Sequence, residues 1–153
     1  MRYFTLDGWI KDQDLDADSP ANSGAVGEYQ SYLVSVMDRL PEDFVRMLQT
    51  VCIHDARLRE LDVDASAGRV TLRLDAGDIT MREGRNVKLH YLAVRRVLST
   101  SDPEKGLPGP HGYGDLGNDE VEVLGGGEYE HRILFSSGIE LAIRFRDFRL
   151  EVL

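Results

Sequence analysis

The chain has 153 residues, 42% of them hydrophobic, and 18 basic against 27 acidic residues give a net charge of −9. That fits one domain spanning 1–153 with a real core, and it excludes a disordered chain. The negative balance repels phosphate backbones, so nucleic-acid binding is not expected without a local basic patch.

A single cysteine excludes an internal disulfide and suits a reducing cytosol. No apolar run approaches the roughly 20 residues that span a bilayer, and the N-terminus lacks a signal-peptide core. A soluble, cytoplasmic protein with no membrane partner is the expectation.

The first ten residues carry Tyr3, Phe4, Leu6, Trp9 and Ile10. So much apolar surface predicts that the N-terminus docks on the body. Residues 11–24, KDQDLDADSPANSG, read as an acidic loop. Its alternating aspartates resemble a calcium loop, but neither register from Asp12 or Asp14 supplies the required Gly and Glu, so no calcium site is expected. Val26, Tyr29, Leu33, Val36, Met37 and Leu40 then form one helical stripe, with Ser23 as a plausible cap. Pro41 ends this helix and can open a second one through residue 51, with Phe44, Met47, Leu48 and Val51 on its apolar side. Glu42 and Asp43 sit in its first turn, where the helix dipole favours anions.

From there the period falls to two. Leu61, Val63 and Ala65, a turn at SAG, and Val70, Leu72 and Leu74 predict a hairpin. NVKLHYLAVRRVL reads as one longer strand. Residues 99–118 are rich in Pro and Gly and read as an excursion. Three strand patterns with GGG and SSG turns close the chain, and a parity slip at Arg146-Asp147 predicts a bulge. Helices early and strands late give an α+β fold. The expectation is an antiparallel β-meander of about five to seven strands packed against an N-terminal helical pair. The arginines of VRRVL and IRFRDFR are expected on a solvated sheet face.

Candidate chemistry is sparse. Cys52, His54 and Asp55 are the weak catalytic candidates: a histidine oriented by a carboxylate can act as a general base. Neighbouring strand residues point to opposite faces, however, and no third group is evident. The alternative is that His54 and Asp55 bond backbone groups at the helix-to-sheet junction. His111 and Tyr113 are candidate contact residues of the long loop. His90 and His131 lie in separate strand patterns and could meet only if those strands were neighbours. No phosphate loop, zinc motif or nucleophile elbow occurs, so neither a cofactor nor a metal site is expected.

Tyr3-Phe4 with Trp9, then Ile53-His54-Asp55-Ala56 ahead of a β-meander, then Phe145, Asp147 and Phe148 near the end, form a pattern. It resembles an uncharacterised bacterial domain-of-unknown-function family, and more loosely some bacterial toxin-immunity proteins. The resemblance implies the α+β fold and no established activity. Two functions follow as expectations. One is a non-catalytic bacterial interaction protein, immunity-like, whose acidic surface meets a basic protein partner. The other is an enzyme or metal-dependent module using His54 and Asp55.

Overall fold

The first strand begins at residue 51, directly after the last helix, and from there the described residues form eight strands. They are β1 (Val51–Asp64), β2 (Arg69–Asp78), β3 (Gly84–Leu92), β4 (Arg96–Thr100), β5 (Leu116–Gly125), β6 (Glu128–Phe135), β7 (Glu140–Phe145) and β8 (Asp147–Val152). The structure, a computed structural model, describes residues 1–12, 23–100 and 113–153. The acidic segment's 13–22 and the loop's 101–112, with His111, lie outside the described residues.

Every strand pairing is antiparallel, and the strands form two four-stranded sheets ordered β1-β2-β3-β8 and β4-β7-β6-β5. The α+β reading stands; one meander of five to seven strands does not. Two stretches expected as single strands each split in two. At Ala93, with φ 49°, the text of residues 87–98 turns out of one sheet and into the other. At Arg146 the terminal strand does the same, which accounts for the parity slip. Both breaks lie side by side: Arg95 N–H donates to Arg144 C=O at 2.8 Å and Arg146 N–H to Leu92 C=O at 3.2 Å. The ribbon β3–β4 against β7–β8 therefore belongs to both sheets. The expected loop is also shorter than 99–118, because β4 runs to Thr100 and β5 starts at Leu116.

Among the described residues the helical pair becomes three α-helices: α1 (Leu6–Asp12), α2 (Ser23–Val36) and α3 (Glu42–Thr50). α1 lies in the apolar N-terminal segment and is capped by Thr5, whose Oγ1 accepts from Gly8 N–H at 3.1 Å. The stripe expected to run to residue 40 leaves the α-helix at Val36 and closes in a 3-10 turn, Met37–Arg39. Pro41 is the N-cap of α3, with φ −54°, and its carbonyl takes the first amides, Phe44 and Val45. Val51 already belongs to β1.

The core lies between the sheets, with Val70, Leu72, Leu74, Leu89, Ile133, Leu141 and Ile143 buried. α3 inserts Phe44 among the aromatic rings at its side, 4.8 Å from Phe148, 6.1 Å from Phe145 and 5.1 Å from the imidazole of His131 between ring centroids. Truncating a buried phenylalanine of this kind to Ala costs about 3–5 kcal/mol.

Sheet edges expose unpaired backbone groups and need cover. At β5 the cover is two tyrosines one helical turn apart on α2: Val121 N–H donates to Tyr29 Oη at 2.7 Å and Val123 N–H to Tyr32 Oη at 2.9 Å. Tyr3 and Phe4 stack on these rings, which docks the N-terminus as its composition predicts. At β8 the cover comes from α3, where Asp43 accepts from Leu150 N–H at 3.0 Å and Arg46 donates to Leu150 C=O at 2.6 Å.

Replacing Tyr29 with Phe strips the buried Val121 amide of its acceptor while keeping the ring. Urea denaturation should show a loss of about 1–3 kcal/mol; an unchanged midpoint would mean that water reaches this edge.

Candidate functional site

Three arrangements of polar side chains could carry chemistry. The first contains the residues that the sequence singles out. β1 pairs Cys52 with Gly77 and next Arg57 with Asp75, so residues 53–56 stand opposite Ala76 alone in a wide bulge. Within it Asp55 takes φ 60°, the left-handed region. The bulge cancels the alternation that would send neighbours to opposite faces. His54 and Asp55 emerge together, 57% and 70% exposed, with His54 Nε2 3.7 Å from Asp55 Oδ2.

His54 Nδ1 bonds the carbonyl of Gly117 on β5. A carbonyl only accepts, so this nitrogen carries the proton and Nε2 faces the solvent side. His54 thus ties the β1 bulge to the other sheet. It does not close the end of a helix. Among the described residues Asp55 makes no bond to the backbone, contrary to the bracing role expected of it. Cys52 is a free, half-buried thiol.

His54 and Asp55 border an open depression of about 240 Å³ between the bulge and the β2–β3 turn, where Asp75 and Glu83 add two more carboxylates. Asp75 is paired with Arg59. Among the described residues no three His, Cys, Asp or Glu side chains are placed to hold a metal ion.

The second arrangement escaped the sequence reading. Tyr91 Oη lies 2.7 Å from His131 Nδ1, and His131 Nε2 lies 2.9 Å from Asp119 Oδ2. This carboxylate–imidazole–hydroxyl chain has the order of a catalytic relay. Its ends differ. Asp119 reaches the surface with 24% exposure, whereas His131 and Tyr91 are fully buried. Burial, followed by the charge of Asp119, pushes the Tyr91 hydroxyl well above its ordinary pKa. Phe145 and Phe148 stack edge-on against the Tyr91 ring. The signal was available as parity: Tyr129, His131, Ile133 and Phe135 alternate along β6, and the last two are plainly core residues. His90 points the other way from Tyr91 on β3 and bonds Thr71 Oγ1 at 3.1 Å and Glu151 Oε2 at 3.0 Å. His54, His90 and His131 therefore form no common site.

The third arrangement covers the outer face of the second sheet. Glu120, almost fully buried, accepts from the backbone N–H groups of Arg2, of Tyr3 at 2.8 Å and of Phe4 at 3.3 Å, and from Arg132 at 3.1 Å. Glu130 meets Arg132, Arg96 and Arg144. Burial alone would raise the Glu130 carboxyl, but these three guanidinium groups outweigh it and hold the group below its ordinary value of 4.5. Of the arginines expected on a solvated face, Arg96 and Arg144 join this network and Arg146 pairs with Glu128, while Arg95 and Arg149 are exposed. Nearby, Gly117 leaves room for the indole of Trp9: a Cβ there would lie 3.2 Å from Nε1 and 3.3 Å from Leu134 C=O.

Of the loop candidates, Tyr113 is half-buried, its ring 5.0 Å from Phe135 and its hydroxyl 3.2 Å from Ser99 Oγ. That anchors one end of the loop to the body. No protein-family model matches the chain, and no curated protein matches its sequence.

The depressed Glu130 carboxyl has a pH consequence. A group whose folded pKa lies below its unfolded one contributes stability above the unfolded value and loses it as pH falls through the folded value. Melting temperature should therefore fall more steeply below pH 4.5 in the wild type than in Glu130→Gln. Parallel acid limbs in the two melting series would show that the network contributes nothing through this group.

Proposed function

We propose that this chain is a non-catalytic interaction protein that meets a basic protein partner through its carboxylate-rich surface, as a bacterial immunity protein does. One observation carries the reading. The best-ordered relay of polar groups, Asp119–His131–Tyr91, terminates in a hydroxyl sealed inside the aromatic core, where no substrate can reach it. The relay satisfies buried polar atoms and specifies the packing around them, a structural role. The surplus of 27 acidic over 18 basic residues favours a partner of opposite sign and speeds its encounter.

A second reading has one observation in its favour. His54 and Asp55 stand side by side at an open depression, with the His54 tautomer fixed by Gly117. In that reading His54 Nε2 is a general base toward a small molecule.

Selection of a displayed random-peptide library on the immobilised protein separates the two. The expected outcome is enrichment of sequences rich in Lys and Arg, with binding that weakens as salt is raised above 0.15 M, where the Debye length is about 8 Å. The same enrichment should survive His54→Ala and Asp55→Ala. Enrichment of neutral or acidic sequences, or none, would overturn the proposal. Loss of all binding on either substitution would shift the site to the depression.

A further inference from the structure

Besides β5 and β8 the sheets end in β1 and β4, and among the described residues the distal half of β1 has no cover. β1 pairs with β2 on one side, and on the other the described residues offer only the isolated bridge between Arg57 and Asp115. From Arg59 to Val63 the outer backbone groups meet no described strand. This edge differs from those of β5 and β8, which are covered by side chains from α2 and α3.

The side chains along this edge state what kind of strand would fit. Glu60 and Asp62 point to the outer face and are exposed, with no ion pair among the described residues. On the covered side of β1, β2 answers them with Arg73 opposite Glu60, Thr71 opposite Asp62, and Arg69 opposite and paired with Asp64 at 3.3 Å. The inner face alternates with this: Leu61 is half-buried and Val63 is 51% exposed although it sits in register with the fully buried Val70. Beside Val63 opens a groove of about 200 Å³ lined by Val70, Val94 and Val97 and also by Asp64, Arg69, Arg95 and Arg96, so its apolar floor takes carbon and its arginines leave the positive charge of an incoming strand to the opposite face, at Glu60 and Asp62. The free side of β1 thus calls for carbon on one face and positive charge on the other.

We infer that the free edge of β1 at residues 59–63 is the docking site for an extended basic segment of a partner protein, added as a strand with Lys or Arg opposite Glu60 and Asp62 and apolar side chains toward Val63 and the valine groove. This rests on the reading of the chain as a binder of a basic protein and adds the place and the mode. Strand addition gives affinity through main-chain hydrogen bonds and specificity through alternate side chains. A second copy of β1 fits worse. Paired antiparallel about Leu61, it would set Glu60 directly opposite Asp62, and like charges so placed are destabilising.

The test uses the full chain and a ten-residue capped peptide that alternates Arg with Val, so that Arg stands at every second position on one face, with a control in which Glu replaces each Arg. Titration by NMR with amide hydrogen exchange reads both affinity and place. The expected result is saturable binding of the basic peptide alone, slowed exchange at amides within 59–63, and at least a tenfold weaker Kd in the Glu60→Lys/Asp62→Lys variant, whose circular dichroism matches the wild type. Binding that slows exchange elsewhere would overturn the edge as the site but leave the basic-partner reading standing. No binding of the basic peptide, while the display selection still enriches basic sequences, would do the same. If the selection also enriches nothing basic, that reading falls as well. Protection of 59–63 that grows with protein concentration and without peptide would overturn the inference in favour of self-pairing. No peptide binding together with self-association of the Lys variant would overturn it too, by assigning the two carboxylates to keeping the edge apart.

Discussion

A two-stranded ribbon that changes sheets halfway along holds the molecule together. β3 continues into β4 and β7 into β8, and both turn at the same level, at Ala93 and Arg146, linked by the Arg95–Arg144 and Arg146–Leu92 backbone bonds. Because the ribbon belongs to both sheets, the residues flanking its bend face one interior. Tyr91 and Phe145 lie just before it, and Phe148 just after, with ring centroids 5.1 Å and 5.3 Å from Tyr91. α3 then needs only one side chain, Phe44, to close the cluster. Without the bend, β3–β4 would be one long flat strand and these rings would be spread along it.

That placement forces the polar chemistry of the core. Tyr91 enters the interior with a hydroxyl, and a buried hydroxyl without a partner costs about 1–3 kcal/mol. His131 supplies the partner from β6, Asp119 takes the other ring nitrogen, and Asp119 alone reaches solvent. The relay is the path by which one core hydroxyl is connected to the surface. A similar necessity governs Glu120. Its near-complete burial is tolerable because several N–H groups converge on it, and the same convergence fixes the N-terminal segment on the sheet.

The sequence made some of this legible through periodicity and hid the rest behind local breaks. Helical stripes announced α2 and α3, and parity announced the inner faces of β2, β3, β6 and β7. The Arg146 slip was visible because Phe145 and Phe148 fall out of step. The break at Ala93 was not, because alanine is an ordinary strand residue and its left-handed conformation is imposed by the step between sheets. The 53–56 bulge was hidden for the same reason. Strict alternation separated His54 from Asp55, and only the unequal register against β2 brings them together. His131 was legible in principle, since it keeps the parity of Ile133 and Phe135. What masks it is that a strand histidine more commonly sits at a sheet surface.

The net charge of −9 also gains meaning from where the charges sit. Many carboxylates are engaged: Glu120, Glu122 and Glu130 with Arg132, Glu128 with Arg146, Asp75 with Arg59, Asp64 with Arg69, and Glu140 with the N-terminal amine. The one-to-one pairs are locally neutral, and Glu120, Glu122 and Glu130 are balanced by Arg132 together with Arg96 and Arg144, so these groups present little field to a partner. The carboxylates of Glu60 and Asp62 have no such counterion among the described residues, and they lie on a long strand edge that no helix covers. Elsewhere this fold covers its edges with side chains, tyrosine hydroxyls at β5 and an Asp–Arg couple at β8. Along the distal half of β1 the described residues supply only charge. Charge blocks a like-charged strand and admits an oppositely charged one, so this edge, unlike those of β5 and β8, discriminates among strands by sign.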